Sequence, residues 1–387
     1  MAVLSLVAFA AAVSLTSGVP VFFNNNAPML DTTGEILDAH DQSIRKFGDF
    51  YYRHALAYGP CKEPTGAGCD GTPDQCGFQL NHTINVWRSP SLASGTWERM
   101  GEAISVSERP AGTVFRPDAI FNNHTGLWVL YWNYVYLNGT YAGCAAATSA
   151  TAAPEGPFSL QTALVNTTAK GGDFHLFRDP ADGTGYIIYG GDYKIMIEKL
   201  NADFLSTSGE APYIFEDPFD YFSESPILME RDGTYYALFS WCCCFCLQGS
   251  GIVVHSAPSM AGPWTRQGGD NIACRAGTPY IPPTAAGTSD APSYSSAALG
   301  LRVVPTGGQG CQYHNASTTA TTRAQQNFIV EVDTPTGVEW LWVGDRWQQS
   351  WDGTKGHDPQ TFLPLPVNKD GSLSHVPWLD NFTIDVI

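Results

Sequence analysis

Residues 232–241 read DGTYYALFSW, a tight turn with glycine followed by an aromatic-rich, alternating strand. Short strands bounded by turn residues are typical of antiparallel sheets. The same pattern recurs four times, as FGDFYYRHAL (47–56), HTGLWVLYWN (124–133), DGTGYIIYGG (182–191) and TGVEWLWVGD (336–345). Five copies predict five similar structural units.

A second pattern follows the first in most units. It is a strand, a stretch containing Ser or Ala, and then Gly-Pro or Gly-Thr before an aromatic residue. The copies are NVWRSPSLASGTWE (85–98), AAATSATAAPEGPFS (145–159) and VVHSAPSMAGPWT (253–265), with a looser one at IMIEKLNADFLSTSGE (195–210). Each unit is therefore a small antiparallel sheet that cannot bury both of its faces alone.

Radial packing buries both faces of such sheets and protects their edges, which is the principle of a β-propeller. No stretch has the period of a long amphipathic helix. A β-sandwich is the alternative, but it gives no reason for an in-phase repeat. The sequence thus predicts an all-β, five-bladed β-propeller. The predicted blades are approximately 31–105, 110–168, 170–215, 218–275 and 320–387, with the N-terminal stretch completing the last blade.

The composition favours a large folded domain and disfavours two classes of partner. Of 387 residues, 43% are hydrophobic and only 15% are charged, so disorder is not expected. The net charge of −17 argues against nucleic acid and anionic membranes as partners, since both require basic patches. A neutral polysaccharide or oligosaccharide is compatible with this charge.

Three features predict export of the chain. Residues 3–15 form an apolar run followed by small residues, which predicts a signal peptide over 1–18 and a single propeller domain over 19–387. A buried first strand is the alternative, because no basic residue precedes the run. Ten cysteines suit an oxidising compartment. Six Asn-X-Ser/Thr sequons predict a glycoprotein, at Asn81, Asn123, Asn138, Asn166, Asn315 and Asn381.

Two segments interrupt the repeat. Residues 59–82 contain Cys61, Cys69 and Cys76 and are expected to form a disulfide-pinned loop. Residues 266–320 are expected to form a long insertion at the rim. The run at 241–246, WCCCFC, is expected to form disulfides rather than a metal site, with Cys144, Cys274 and Cys311 as candidate partners. The pairing is left open.

Three acidic residues precede aromatic strands at comparable places. They are Asp41 in AHDQSI, Asp173 in GGDFHLF and Glu224 in SESPILMERDGTYY. The first strand of each propeller blade lines the central channel, so these acids are expected to converge at one end of it. Hydrolysis of a glycoside needs one acid to protonate the leaving oxygen and a partner to activate water. Neighbouring like charges and burial raise the pKa of one such acid enough to hold its proton.

Seven runs together resemble glycoside hydrolase family 43, and within it the exo-β-1,3-galactanase-like group. The resemblance covers most of residues 31–365. The runs, in chain order, are DTTGEILDAHDQSIRKFGDFYY, RPDAIFNNHTGLWVLYWN, GGDFHLFRDPADGTGYIIY, SESPILMERDGTYYALFS, SAPSMAGPWT, AQQNFIVEV and WLWVGDRW. No single run is decisive, but their shared order is.

The resemblance implies an inverting hydrolase with particular roles for four residues. It implies that Glu224 is the general acid and that Asp173 adjusts the pKa of that acid and orients it. In most of the family an Asp activates the water, and Asp41 in DQSI matches it. In the galactanase-like group a Gln of the fifth blade holds the water instead, and Gln325 in AQQNF matches that one. This chain has candidates for both arrangements.

One position departs from the galactanase-like pattern. That group has Glu-Arg-Pro at the start of the second blade, where its Glu contacts substrate, and this chain has Phe115-Arg116-Pro117. Asp118 is close by, but alternation along a strand predicts that a three-position shift does not restore the carboxylate. We therefore expect the substrate specificity to differ more than the fold.

The remaining candidate site residues are substrate contacts. Arg116 and Asp118 are assigned to the second blade, His40 precedes Asp41, and Trp241 and Trp347 are candidate platforms for sugar rings. No cofactor or metal is expected, since no oxygen-ligand motif supports calcium.

The predicted function is inverting hydrolysis of a β-linked galactan or a related polysaccharide side chain. The alternatives are an arabinofuranosidase or xylosidase of the same family, or a propeller that binds carbohydrate without cleaving it. The oligomeric state is left open.

Overall fold

The computed structural model describes residues 18–62, 76, 79–136, 138, 140–191, 194–215, 223–241, 251–267, 322–374, 376 and 378–387. Residues 1–17 of the predicted signal peptide, the cysteines at 242–246 and nearly all of the rim insertion lie outside these residues. Cys61 and Cys76 form a disulfide, which confirms that the loop in the first unit is pinned. Cys144, a candidate partner of the cysteine run, is a buried free thiol.

Twenty-one strands make up the described fold. Strand β1 (Val19–Asn24) precedes the first blade. Blade 1 contains β2 (His40–Phe47), β3 (Phe50–Ala57), β4 (Thr83–Ser89) and β5 (Glu98–Glu102). Blade 2 contains β6 (Thr113–Asn122), β7 (Leu127–Val135), β8 (Tyr141–Ser149) and β9 (Phe158–Thr162). Blade 3 contains β10 (Phe174–Arg178), β11 (Gly185–Gly191), β12 (Lys194–Lys199) and β13 (Tyr213–Phe215). Blade 4 contains β14 (Ser223–Arg231), β15 (Thr234–Trp241), β16 (Gly251–Ala257) and β17 (Thr265–Arg266). Blade 5 contains β18 (Gln325–Thr334), β19 (Gly337–Asp345) and β20 (Gln360–Pro364), and β21 (Asn381–Val386) follows it.

Each blade is an antiparallel sheet whose strands follow one another in chain order, with four strands in blades 1–4 and three in blade 5. The predicted five-bladed all-β propeller is confirmed. The aromatic pattern found in the sequence forms the second strand of every blade: β3, β7, β11, β15 and β19. Two short 3₁₀ turns, Val106–Glu108 and Lys355–His357, lie in connections, and no helix in the described residues is long and apolar enough to cross a membrane.

The first and last strands close the ring beside blade 5. Strand β1 pairs antiparallel with β21, from Val19 opposite Val386 to Asn24 opposite Asn381, as a separate two-stranded sheet. Asn25, just after β1, donates to the carbonyl of Phe362 (2.8 Å) and accepts from its N–H (3.1 Å). The N-terminal stretch therefore packs against the last blade through Asn25, while its strand hydrogen bonds go to the C-terminus.

Five clusters of buried apolar side chains occupy the five blade interfaces in the described structure. Successive residues of the second strand point to opposite faces, so they serve opposite neighbours. In blade 2, Tyr131 packs towards blade 3 and Trp132 towards blade 1. In blade 5, Leu341 packs towards blade 1 and Trp342 towards blade 4. The aromatic repeat thus exists because each blade must fill two interfaces.

The innermost strands carry irregularities that the repeat does not reveal. Strand pairing shifts register between His40 and Ser43, Phe115 and Asp118, Glu224 and Ile227, and Gln326 and Phe328. Three residues within these bulges have positive φ: Asp41 (50°), Arg116 (52°) and Ser225 (52°). Non-glycine residues rarely adopt this conformation, and bulges with it often turn side chains towards a site.

Candidate active site

The bulges bring polar side chains from several blades to one end of the central channel. Asp41, Arg116 and Ser225 occupy equivalent bulge positions in blades 1, 2 and 4. Asp173 lies directly before the inner strand of blade 3, and Gln325 begins that of blade 5. The predicted acids therefore meet at the end of the channel where the inner strands begin.

Arg116 is the centre of this group. Its guanidinium is buried, with 5% of the side chain exposed. Burial lowers the pKa of Arg116, but the charges of Asp173 and Asp41 more than reverse this and hold the pKa above its usual value. The guanidinium contacts every other blade, through Asp41 Oδ1 (3.2 Å), Asp173 Oδ2 (2.9 Å), Ser225 Oγ, the Gln326 carbonyl (3.0 Å) and Asn327 Oδ1 (2.8 Å).

Asp173 is joined to the strand that carries Glu224. Its Oδ2 accepts hydrogen bonds from the backbone N–H of Ser225 (3.1 Å) and from the Ser225 hydroxyl (3.0 Å), besides its ion pair with Arg116. Because Ser225 directly follows Glu224, these bonds fix the backbone that aims the Glu224 side chain. Asp173 thus affects Glu224 in two ways: its charge raises the pKa of Glu224, and its hydrogen bonds to Ser225 hold the backbone next to Glu224.

Glu224 is partly buried beside these charges. Burial raises the pKa of Glu224 to about 8, with a further increase from Asp173 and Asp41 and an opposing effect of Arg116. Gln325 Nε2 donates to Glu224 Oε2 at 3.4 Å, and Gln325 Oε1 accepts from Trp347 Nε1 at 2.6 Å. A carboxyl in this setting holds its proton at neutral pH.

Asp41 lies on the other side of Arg116, with 6% of its surface exposed. Its backbone N–H donates to Asp345 Oδ2 at 2.7 Å. Burial raises the pKa of Asp41 to about 7. Arg116 opposes the shift, while Asp345 and Asp173 add to it. Asp41 can therefore exchange a proton near neutrality.

The sequence and the fold of this chain both match known proteins. A profile of glycosyl hydrolases family 43 matches residues 38–293, which is most of the described propeller. The chain belongs to glycosyl hydrolases family 43.

Solved structures of other family 43 proteins share the fold of this chain. An exo-β-1,3-galactanase from Phanerochaete chrysosporium, solved with β-1,3-galactotriose, is 19% identical with a TM-score of 0.65, over 95% of this chain and 69% of that one. An exo-β-1,3-galactanase from Clostridium thermocellum is 22% identical with a TM-score of 0.66, over 94% of this chain and 67% of that one.

One relative is similar in sequence over a shorter stretch. A β-D-galactofuranosidase of Aspergillus niger is 34% identical over 116 residues. That match covers 28% of this chain and one third (33%) of the relative.

Two residues assigned to substrate lie beneath the cluster in this family 43 chain. His40 is fully buried, with Nε2 3.1 Å from the Asp358 carbonyl and its ring stacked on Trp347 at 5.4 Å. Burial lowers the pKa of His40, but the Asp38 hydrogen bond and the charge of Asp345 raise it to about 8. Trp347 is also buried. The Trp347 N–H binds Gln325, and His40 directly precedes Asp41. Both rings are buried, so neither presents a face to solvent. The side chain of Trp241 lies outside the described residues.

The bulge of blade 2 lies between Phe115 and Asp118. Phe115 pairs with Asn133 and Asp118 pairs with Tyr131, so three steps on one strand correspond to two on its partner. Simple alternation therefore does not relate the two side chains. Phe115 packs in the cluster between blades 1 and 2, beside His82. Asp118 bonds to Arg45 (2.9 Å) and to the N–H of Leu176 (2.6 Å), where it ties blades 1, 2 and 3 together and does not take the place of Phe115.

Four functional neighbours were missed by the sequence reasoning. Ser225 donates to Asp173, Asn327 accepts from Arg116, and Asp345 accepts from the N–H of Asp41. Asp358 binds Lys355 at 2.5 Å behind Trp347. One signal was available, because Pro117 and Pro226 follow Arg116 and Ser225, and proline within a strand marks a bulge or an edge. Among the described residues no group of three or more His, Cys, Asp or Glu side chains is arranged to hold a metal ion.

Proposed function

We propose that this chain is an inverting glycoside hydrolase that cleaves β-linked galactan or a related polysaccharide side chain. Glu224 donates its proton to the glycosidic oxygen as the bond from that oxygen to the anomeric carbon breaks. A water attacks the opposite face of the anomeric carbon, and its proton passes to Asp41. Family membership and the paired acids support this reaction class.

The observation that carries the proposal is the state of Glu224. A general acid must be protonated at the working pH, and the pKa of Glu224 is raised to about 8 by burial and by the neighbouring carboxylates. Asp173 is tied to Arg116 and Ser225 and supplies negative charge next to that proton. Acid catalysis requires such a pair, in which one carboxyl group holds the proton and its neighbour supplies negative charge.

Asp41 is the better candidate for the base. Gln325 donates to Glu224 directly, so its amide positions the acid, and the Trp347 N–H fixes its other end. Asp41 is on a different blade, and its pKa of about 7 suits a base at neutral pH. An inverting geometry predicts a separation of about 6.5–9.5 Å between the acid and base carboxyls, which leaves space for the water.

The galactan preference rests on the galactanases that share this fold and on the order of sequence runs. A second substrate is favoured by a specific observation, because Phe115 stands where the galactanase-like group has its substrate-contacting Glu. The Aspergillus niger relative is a β-D-galactofuranosidase, so furanosides, including arabinofuranosides, are the second candidate class.

We also propose that the chain is exported. The Cys61–Cys76 disulfide is consistent with an oxidising compartment, and the five sequon asparagines that the structure describes are all exposed. Detection of the mature chain in the culture medium of its own cells would test this.

The test of the catalytic proposal is time-resolved proton NMR during digestion of β-1,3-galactan, with aryl furanosides and xylosides run in parallel. Inversion predicts that the α-anomer of galactose appears first and then mutarotates. Glu224→Gln, shown to be folded by circular dichroism, should release no sugar. A first-formed β-anomer, or unchanged turnover by Glu224→Gln, contradicts the proposal. Sugar binding without any product would identify a carbohydrate-binding propeller instead.

A further inference from the structure

Two of the exposed sequons share a feature that the others in the described structure lack. Phe121 precedes Asn123 by two residues, and Tyr136 precedes Asn138 by two residues. Each pair lies at a β-hairpin, between β6 and β7 or between β7 and β8. The other described sequons have no aromatic residue at that position: Asn81 follows Gln79, Asn166 follows Leu164 and Asn381 follows Leu379.

The side chain of Asn123 is exposed, and its one hydrogen bond within the described chain uses the oxygen. Its Oδ1 accepts a hydrogen bond from Arg178 Nη1 at 2.8 Å. Its Nδ2, the atom to which an N-linked sugar attaches, makes no hydrogen bond within the described chain. Because Arg178 also donates to the Phe121 carbonyl at 2.9 Å, one guanidinium group holds the asparagine and the aromatic residue together.

Apolar rings lie next to Asn123 with one of them open to solvent. The Phe121 ring centroid lies 5.7 Å from that of Phe47 and 5.7 Å from that of Trp128. The Phe47 and Trp128 centroids are 5.4 Å apart. Phe47 is 38% exposed. These three rings and Asn123 line one cavity of about 740 Å³, on the side of the propeller opposite the catalytic cluster.

The second hairpin has the same arrangement around Asn138. Asn138 Oδ1 accepts the N–H of Thr140 at 3.0 Å, which again leaves Nδ2 free of hydrogen bonds within the described chain. The Tyr136 N–H donates to the Thr140 carbonyl at 2.9 Å and closes the turn. Tyr136 is 40% exposed, and its ring meets that of Tyr134 edge-on at 5.6 Å between ring centroids.

We propose that Asn123 and Asn138 carry N-linked glycans whose first N-acetylglucosamine packs its C–H face on Phe121 and Tyr136. Attachment transfers the glycan from a lipid diphosphate donor. The sugar–oxygen bond breaks, a bond forms from the anomeric carbon to Nδ2, Nδ2 loses one proton, and the diphospholipid leaves. The contact buries apolar area on both partners and exists only when the hairpin is folded, so it stabilises the native state.

The experiment uses the full chain secreted from a eukaryotic host. Mass spectrometry of glycopeptides measures occupancy at each sequon, and an endoglycosidase then trims every glycan to one N-acetylglucosamine. Thermal unfolding is compared for the trimmed protein, Asn138→Gln, Tyr136→Thr and the double variant. Tyr136 is exposed, so its replacement leaves the fold intact.

The proposal predicts high occupancy at Asn123 and Asn138. It predicts that Asn138→Gln lowers the Tm by about 1–4 °C in the Tyr136 protein and by less than half of that in the Tyr136→Thr protein. Asn81→Gln, which has Gln79 and no aromatic residue two positions before it, should leave the Tm unchanged. Asn123→Gln should lower the Tm as Asn138→Gln does. Empty sequons at both positions in the secreted protein, or an equal effect of Asn138→Gln in both backgrounds, would overturn it. None of these outcomes depends on catalysis.

Discussion

Arg116 Nη2 lies 2.9 Å from Asp173 Oδ2, and through this pair the second blade is joined to the third beside Ser225, the residue that follows Glu224. The same guanidinium reaches Asp41 from its Nε at 3.2 Å. Within the described part of the chain, this buried cation forms ion pairs with two of the three predicted acids, Asp41 and Asp173, and none with the third, Glu224. Burial is the largest cause that raises the pKa of Glu224 to about 8, and the ion pair of Asp173 with Arg116 keeps a carboxylate beside it that raises the pKa further.

Removal of Arg116 is expected to disrupt both the site and the fold. Arg116→Met leaves Asp41 and Asp173 buried without their cation, which should lower the free energy of unfolding by about 3–5 kcal/mol. Chemical denaturation measures this. The matched control is Arg88→Met, which removes an exposed pair with Glu98 (2.7 Å) and should cost about 1 kcal/mol or less. Equal losses for the two variants would contradict the central role of Arg116.

The pH dependence of kcat/KM should be bell-shaped. The base Asp41, with a pKa raised to about 7, must be ionised, so activity rises through that pH. The acid Glu224, with a pKa raised to about 8, must be protonated, so activity falls above that pH. Asp41→Asn should reduce kcat/KM about 10²–10⁴-fold and abolish the acidic limb in what remains. If instead Asp41→Asn keeps both the limb and most of the rate while Gln325→Ala loses the rate, Gln325 and not Asp41 positions the water.

Glu224 should also make stability depend on pH in a defined direction. Its folded pKa is raised above its unfolded value, so the native state binds the extra proton between about pH 4.5 and 8. The stability that this proton contributes is complete below pH 4.5 and is lost as the pH rises through 8. Glu224→Gln cannot ionise, so its Tm should equal the wild-type value near pH 4.5 and exceed it near pH 9. Parallel Tm curves for the two proteins across this range would refute the raised pKa.

Trp347 should act on catalysis through Gln325. Trp347→Phe keeps a ring against His40 but removes the N–H that holds Gln325 Oε1. We expect kcat to fall about tenfold, equivalent to about 1.4 kcal/mol, with little change in KM. Trp264→Phe, which loses a bond to the Met260 carbonyl between blades 3 and 4, serves as the control and should keep its kcat. A rise in KM alone for Trp347→Phe would instead indicate direct substrate contact.

The propeller was predictable because its determinants are local. Each blade repeats a turn with glycine and a second strand whose two faces fill two interfaces, and DGTYYALFSW already contains both signals. The three acids were predictable for the same reason, since they precede these strands at similar distances.

The bulges and the groups they orient were not predictable in the same way. A bulge exists only in the pairing of two strands. The relative orientation of the Phe115 and Asp118 side chains could therefore not be predicted from the sequence of one strand. Asp345 is at the end of a second strand, remote in sequence from Asp41, and only closure of the ring brings them within 2.7 Å. His40 and Trp347 were assigned to substrate on residue type, which does not reveal burial.

The dependence of the rate on the leaving group tests the central claim most directly. A general acid matters most when the leaving oxygen is a poor leaving group, so wild-type turnover of aryl glycosides should vary little with phenol acidity. Glu224→Ala should lose about 10²–10⁴-fold on galactan and on phenyl glycosides, yet hydrolyse a dinitrophenyl glycoside at a rate close to that of the wild type. A uniform loss across all leaving groups, or no loss on galactan, would contradict the assignment of Glu224 as the proton donor.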